Sequence, residues 1–384
     1  MKVLEELGQG KSLEDFPEID NKNEDWKYIS IPKDLNSFTT SQGSNQGSSS
    51  EEIDVLIHDE GIEIINENKS FQIEDVFEVN TPFIEDYSNR PIDRFVFQQK
   101  EKVTSGIVIN FIESSETPLR VEIQSSGLNV PYIGLFADKN ISSSIELIHS
   151  DALSGTSFPM IDSKISNDSH ISLYIKHDSP QESELITSFY SQIGKDSSLD
   201  VKCASFGSSL SRIRFDIDLD GIGSSFNIEG VYFADKERLI DYRVFVNHNV
   251  KNTSSNMLLK GALVDESSSV FTGTIHIAEG AEKTVSHQIN RNLVLNDKAK
   301  AHSVPNLEIL CDDVICGHGS SVGPIDDELF HYVMSRGIPR LEAEKLLIRG
   351  FFNEVLNKDK WESHREEIAN KIKSRYEKSL ESKV

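Results

Sequence analysis

Cysteine is scarce in this chain, with three in 384 residues. An odd number, split between Cys203 and the Cys311/Cys316 pair, builds no disulfide framework and predicts a reducing compartment. Long apolar runs are also missing. No stretch reaches the length of a membrane span, and the opening MKVLEELGQGKSLEDF mixes charges with single apolar residues where a signal peptide would be continuously apolar. A cytoplasmic protein without a membrane anchor is expected. Basic charge is in deficit, with 39 Lys and Arg against 63 Asp and Glu and a formal charge of −24, which argues against a nucleic-acid partner. There is no Walker A loop, no GxGxxG turn after a strand, no GxSxG elbow and no HExxH helix, so several large enzyme classes drop out.

What the chain has in quantity is short alternating runs. Residues 1 to about 36 read as short helical pieces around Pro17, with Glu24, Trp26 and Tyr28 as an acidic and aromatic patch. The polar stretch Ser37–Ser50 has almost nothing to bury and reads as a mobile linker. From Ile53 strand-like runs begin, with Asp-Glu-Gly-Ile as a hairpin signal. Between about 92 and 323, runs such as RFVFQQ, GIVINFIE, ISLYIKH, SFNIEGVYFA and SVFTGTIHIA recur every ten to fifteen residues. Helical periodicity is nearly absent there. More than 200 residues of this pattern without a two-domain break suit a stacked β-solenoid, although no clean fixed-period repeat is visible. From Arg340 a helical period returns, with Ala343, Leu347, Phe351 and Val355 at intervals of four and Leu346 and Phe352 widening the stripe.

The densest chemistry lies between Pro305 and Gly337, which holds two cysteines and two histidines. Leu307, Ile309, Cys311, Val314 and Cys316 alternate as in a half-buried strand. Gly317, Gly319 and Gly323 then suggest a tight turn, followed by a helix starting at Pro324 to Asp327 and ending at Gly337 and Pro339. This puts His318 at the junction of sheet and helical tail. Cys311, Cys316 and His318 carry donor atoms suited to iron, zinc or an iron–sulfur cluster, but C-x4-C-x-H is not a standard zinc spacing. Either cysteine can equally be a small buried filler. A Cys316–His318 nucleophilic pair is a further alternative. His248 reads as a strand-end histidine with satisfied hydrogen bonds, and Cys203 as packing.

These residues carry a resemblance. Lys260–Ile277, the Gln288/Asn290/Arg291/Asn292/Leu293 run, Pro305–Gly319, Ser335–Ile338 and the N-terminal Glu24-Asp25-Trp26-Lys27-Tyr28 together resemble the SufB/SufD family of iron–sulfur cluster assembly components. The SufD type is favoured, because Lys298-Ala299-Lys300-Ala301-His302 lacks the cysteine expected of SufB and the N-terminal half has none. Gly317, Ser320 and Ser321 depart from the family's usual Ser-His-Gly-Ala-Thr, as does Cys311 from a common alanine.

The resemblance implies a mainly β fold, a right-handed parallel β-helix flanked by N-terminal and C-terminal α-helical regions. The divisions expected are 1–84 for an N-terminal helical region with linker and first strands, 85–324 for the β-helix and 325–384 for the helical domain. It further implies a non-catalytic scaffold that pairs with a SufB-like subunit through the β-helix ends and docks a SufC-type ATPase on the tail. His318, with Cys316 beside it, would be a ligand for iron or a nascent cluster at the subunit interface, with none bound tightly by this chain alone. Leu346, Leu347, Phe351, Phe352 and Val355 are the partner-binding candidates. A homodimer in isolation, a SufB-like cluster carrier, a purely structural interaction protein and a β-solenoid enzyme acting on acidic polysaccharide are the competing readings.

Overall fold

In a computed structural model, the chain is described at residues 7–17, 19, 26–29, 35, 53–59, 61–79, 90–150 and 155–381. The Ser37–Ser50 segment expected to be a linker, and Glu24 and Asp25 of the N-terminal patch, lie outside the described residues. Strands make up 47% of the protein and helices 18%, and the strands form a parallel β-solenoid of about seven turns.

Each coil contributes one strand to a ten-stranded sheet and one to an eleven-stranded sheet, so the two sheets face each other across an apolar interior. Coil stacks on coil in strict register. Leu239–His248, for example, pairs along its whole length with Leu210–Leu219 before it and Ser268–Ile277 after it. Inward positions are Ile, Leu, Val and Phe, and outward positions are polar or covered by other segments, which is the alternation read from the sequence.

The repeat that the sequence hides is a corner. Asn140, Asp168, Asp196 and Asn252 have φ between 51° and 61°, a left-handed conformation that Asn and Asp tolerate best after glycine. A hydroxyl follows at Ser169, Ser197 and Thr253, and each is buried. The Ser197 hydroxyl accepts the Ser169 N–H at 3.1 Å across 28 residues, while the Thr253 and Thr284 hydroxyls meet at 3.1 Å across 31. The coil length therefore drifts, and only one or two positions per coil keep their identity.

The ends of the solenoid differ. At the start, Val55–His58 and Gly61–Ile64 form the expected antiparallel hairpin, and Phe71–Asp75 runs antiparallel to Ser105–Phe111. At the other end, both sheets finish on a parallel strand, Lys300–Ile309 in one and Val314–Gly323 in the other. Among the described residues nothing pairs with their outer edges.

One expectation is corrected. RFVFQQ is not a strand but the start of α1, Arg94–Lys102. The Asp93 carboxylate caps it, accepting the Phe95 and Val96 N–H groups at 2.9 and 2.8 Å, and its apolar face packs outside the eleven-stranded sheet with Trp26, Ile29 and Phe158. An alternating run of six is too short to exclude a helix once a cap precedes it. Arg212 and Arg214, two residues apart on one strand and without a role legible in the sequence, anchor that packing. Arg212 meets Asp241 at 2.7 Å and Asp93 at 3.0 Å, Arg214 meets Asp93 at 3.1 Å and Asp216 at 2.6 Å, and the Arg212 guanidinium lies 4.3 Å over the Trp26 ring. Burial by itself would raise the Asp93 carboxyl, but Arg214 and Arg212 overcome it and hold the group well below the ordinary carboxylate range.

The tail comprises α2 (Asp327–Ser335), α3 (Arg340–Leu356) and α4 (Arg365–Glu381). Helices α3 and α4 lie on the outer face of the ten-stranded sheet, where Ile348, Phe352, Val355, Trp361 and Ile368 pack on Val231, Phe233, Leu258 and Ala262. Ion pairs rim this contact. Lys260 and Arg291 converge on Glu354 at 2.5 and 2.8 Å, and Lys358 meets Glu229 at 2.5 Å. The Lys260 hydrogen bond, more than burial, decides Glu354 and lowers its carboxyl, whereas at Lys260 burial outweighs the partner and the ammonium is lowered too.

Replacing Asp93 with Asn removes the shared counter-charge of the Arg212 and Arg214 guanidiniums while keeping the amide oxygen that caps α1. A loss of about 3–5 kcal/mol is expected, read as a fall in the urea midpoint with an unchanged slope. An unaltered midpoint would show that the N-terminal packing does not rest on this carboxylate.

Candidate functional site

The final strand, Val314–Gly323, is laid down by ten register pairs with Thr284–Leu293. That ladder keeps Gly317, Gly319 and Gly323 extended, and none has a positive φ. The expected glycine turn is therefore a strand, and His318 sits inside it rather than at its end. The parallel hydrogen bonds of the preceding coil outweigh the local preference of glycine for turns.

Register decides what faces the interior. On Thr284–Val294, Thr284, Ser286, Gln288, Asn290 and Asn292 are buried and Val285 and His287 are exposed. Cys316, His318 and Ser320 pair with Ser286, Gln288 and Asn290. They share the inward face at the open mouth of the solenoid. Cys316 is half-buried and touches the core, while His318 is exposed.

The interior below this mouth is polar, unlike the aliphatic coils before it. Gln288 donates from Nε2 to the Asn306 carbonyl oxygen at 3.0 Å, tying the last strand of the opposite sheet, and its Oε1 is buried without a partner. Asn292 donates to Asn290 Oδ1 at 2.8 Å, and the Tyr232 hydroxyl donates to Asn292 Oδ1. Two glycines make room. A Cβ at Gly273 would lie 2.1 Å from Gln288 Oε1, and one at Gly261 would lie 2.0 Å from the Tyr232 ring. Sequence reading quoted the Gln288/Asn290/Asn292 run without its role. The available signal was an inverted alternation, with polar residues at every second position and Ile289 and Leu293 between them.

Burial pushes the Cys316 thiol up, partly offset by the Gly317 N–H, which disfavours the thiolate that a Cys316–His318 nucleophilic pair requires. Cys311 lies half-buried against the core. Among the described residues, no group of three or more His, Cys, Asp or Glu side chains stands where it could hold a metal ion. Cys316 and His318 are thus two donors on one open strand.

His248 ends its strand fully buried, with Nδ1 2.7 Å from the Thr253 hydroxyl and Nε2 3.0 Å from that of Ser255. Desolvation lowers its pKa to about 4, so the ring is neutral. Cys203 is buried in the core.

The tail candidates divide. Phe352 and Val355 are buried against the β-body, Phe351 and Leu347 are partly covered, and Leu346 is 49% exposed. Phe351 also receives the Lys260 ammonium 4.0 Å from its ring centre. Leu346 stands at a groove of about 330 Å³ between α3 and α4, walled by Ile348, Arg349, Ala369 and Lys373. The stripe faces two ways because α3 packs on the sheet along one side and borders the groove to α4 along another.

Comparison with known proteins gives a consistent result. A family model described as "SUF system FeS cluster assembly, SufBD core domain" matches residues 127–351, more than half of the chain. An iron–sulfur cluster assembly SufBD family protein of Mycobacterium tuberculosis is 37% identical over 181 residues, 45% of this chain and 46% of that protein. The iron–sulfur cluster assembly protein SufD of Escherichia coli is 32% identical over 169 residues, 44% of this chain and 40% of that protein. That of Bacillus subtilis is 37% identical over 140 residues, covering 36% and 32%. The aligned part spans less than half the length of each of these relatives.

Gly273→Ala is expected to cost about 1–3 kcal/mol by overpacking against Gln288 and Phe271. In a Gln288→Ala background the same change should cost less, measured as a double-mutant cycle of urea midpoints. Equal costs in both backgrounds would mean that Gln288 does not cross the interior at this level.

Proposed function

Because this chain belongs to the SufB/SufD core-domain family of the SUF system, we propose that it serves iron–sulfur cluster assembly as a non-catalytic scaffold subunit. It pairs through the open end of its solenoid with a SufB-like subunit and receives a SufC-type ATPase on its helical tail. Iron or a nascent cluster is the cargo, handled in the cytoplasm.

The observation that carries the pairing is the unfinished last coil. Two edge strands with free N–H and C=O groups are a template for strand addition, and here they are parallel, long and flanked by apolar side chains. Leu310 is 62% exposed and Ile315 63%, with Val322, Leu329 and Tyr332 exposed nearby. A second chain adding its own strands there continues the ladder and covers that surface. A relative and a second copy of this chain fit the same edge, and native co-purification tells them apart.

Pairing also completes the donor set. His318 and Cys316 supply one imidazole and one thiol at the rim, and a partner strand laid alongside brings further ligands within reach, as an iron centre of four donors requires. His318→Ala is expected to lower iron and sulfide incorporation by the reconstituted complex about tenfold or more, with the subunits still associating. Unchanged incorporation would remove His318 from the site.

For the ATPase, the groove between α3 and α4 offers an apolar floor with Lys345, Arg349 and Glu366 at its rim. Leu346, the exposed member of the stripe, is the anchor. Phe352 and Val355 act indirectly, by fixing α3 on the β-body. Leu346→Asp should weaken capture of the SufC-type subunit by roughly 2 kcal/mol or more, measured by titration, while the melting temperature stays within a degree or two. Undiminished capture would defeat docking at this groove.

A further inference from the structure

A second recess lies at the far end of α4, between its last turns and the solenoid corners that carry Asp235–Arg238 and Asp265. Its volume is about 270 Å³. In a chain with a formal charge of −24, this recess is unusual because five cationic side chains, Lys236, Arg238, Lys371, Arg375 and Lys378, converge on it.

Three of the five share two carboxylates. Asp235 pairs with both Arg238 and Arg375, the latter at 3.1 Å. Asp178 takes Lys371 at 2.6 Å and Arg375 at 3.6 Å. Asp265 is spent differently, since it accepts the backbone N–H of Lys236 at 3.0 Å and so pins the left-handed corner at that residue. Glu182 is exposed and acts on Arg238 only weakly. Lys236 and Lys378 have exposed side chains and form no ion pair among the described residues.

Arg238 supplies the second observation. The residue is 4% exposed, and its Nε–H has no acceptor. A buried donor without a partner is disfavoured. Burial, and after it the neighbouring Arg375 guanidinium, push Arg238 below the usual arginine range, so the site holds two like charges on one carboxylate.

We propose that this recess binds a phosphate dianion, with its oxygens accepting from the ammonium groups of Lys236 and Lys378 and drawn by the surplus positive charge of the Arg238–Arg375 pair. A monocarboxylate matches this arrangement poorly. Five cations face the carboxylates of Asp235, Asp178 and Asp265, which leaves a surplus of about two charges, and the two ammonium groups come from the solenoid corner and from α4, so a tetrahedral ion of charge near −2 matches both. The recess takes inorganic phosphate whole and a nucleotide by its terminal phosphate with the base left outside. Binding joins α4 to the solenoid corner, independently of any role for His318.

The test is titration of the full chain with inorganic phosphate at pH 7.5 and constant ionic strength, followed by calorimetry, with chloride as the control and ATP as a second arm. Saturable phosphate binding is expected, weakened at least tenfold in Lys236→Ala/Lys378→Ala and in Arg238→Met. The lysine variant changes only exposed side chains and keeps the test valid if Arg238→Met unfolds. Tighter binding of ATP than of phosphate identifies a nucleotide as the source, and equal affinity identifies the free ion. Binding no stronger than the chloride control, or undiminished in the lysine variant, overturns the proposal.

Discussion

Each coil of this protein is held by the backbone hydrogen bonds it makes to the coils on either side, and the rest of the structure depends on that rule. Inside the stack every strand has two neighbours in register. At the start the sheets end on Gly61–Ile64 and Phe71–Asp75, antiparallel strands of four and five residues, and short edge strands are a way of blunting an edge. At the other end Val314–Gly323 and Lys300–Ile309 are ten residues long each, and among the described residues nothing pairs with their outer edges. An edge of this length is a hazard unless something covers it, so the proposed pairing would extend the same bonding that builds the solenoid.

The interior changes character toward that edge. On the ten-stranded sheet apolar side chains fill the inward positions up to the strand Ser254–Leu263, after which Ser286, Gln288, Asn290 and Asn292 take over, while Phe271, Ile275 and Ile277 continue the apolar lining opposite. Buried amides are tolerated only when bonded, and here they bond to one another, to Tyr232 and to the Asn306 carbonyl. Gly261 and Gly273 are needed because the Tyr232 ring and the Gln288 amide occupy the space a side chain would take. A polar floor then separates the dry core from the mouth where Cys316 and His318 stand. An apolar core reaching the open end would have exposed its full cross-section to water.

The outer faces are divided between two coverings. The N-terminal segment and α1 lie on the eleven-stranded sheet, locked by Arg212, Arg214 and Asp93, and Tyr28 reaches far enough to stack on His302 at 4.3 Å in the edge strand. The helices α3 and α4 lie on the other sheet, held by Trp361, Phe352 and a rim of ion pairs. Those surface pairs contribute little individually, so the buried aromatic contact is what fixes the tail. The stripe read from the sequence as one docking face is divided for this reason, with Phe352 and Val355 turned to the body and Leu346 to the groove.

Local pattern was enough to determine the class of this protein. Alternation in SFNIEGVYFA or ISLYIKH, the hairpin before Gly61, the helix from Asp327 closed at Gly337, and the roles of His248 and Cys203 all follow from residues close in sequence. Only the tertiary structure decided the rest: that RFVFQQ is a helix packed on Trp26 and Phe158, that the glycines flanking His318 lie in a strand, and that Arg212 is buried against Trp26 with Arg214 beside it on Asp93. The Asp93 cap is local to its helix, but the packing that holds it, like the ladder at His318 and the charge cluster at Arg212, comes from a segment remote in sequence or from the coil next door, whose energy exceeds the local preference. Propensity differences amount to about 1 kcal/mol per residue, whereas a ten-residue ladder or a buried charge cluster involves several times that, and nothing in the order of residues records which distant segment will supply it.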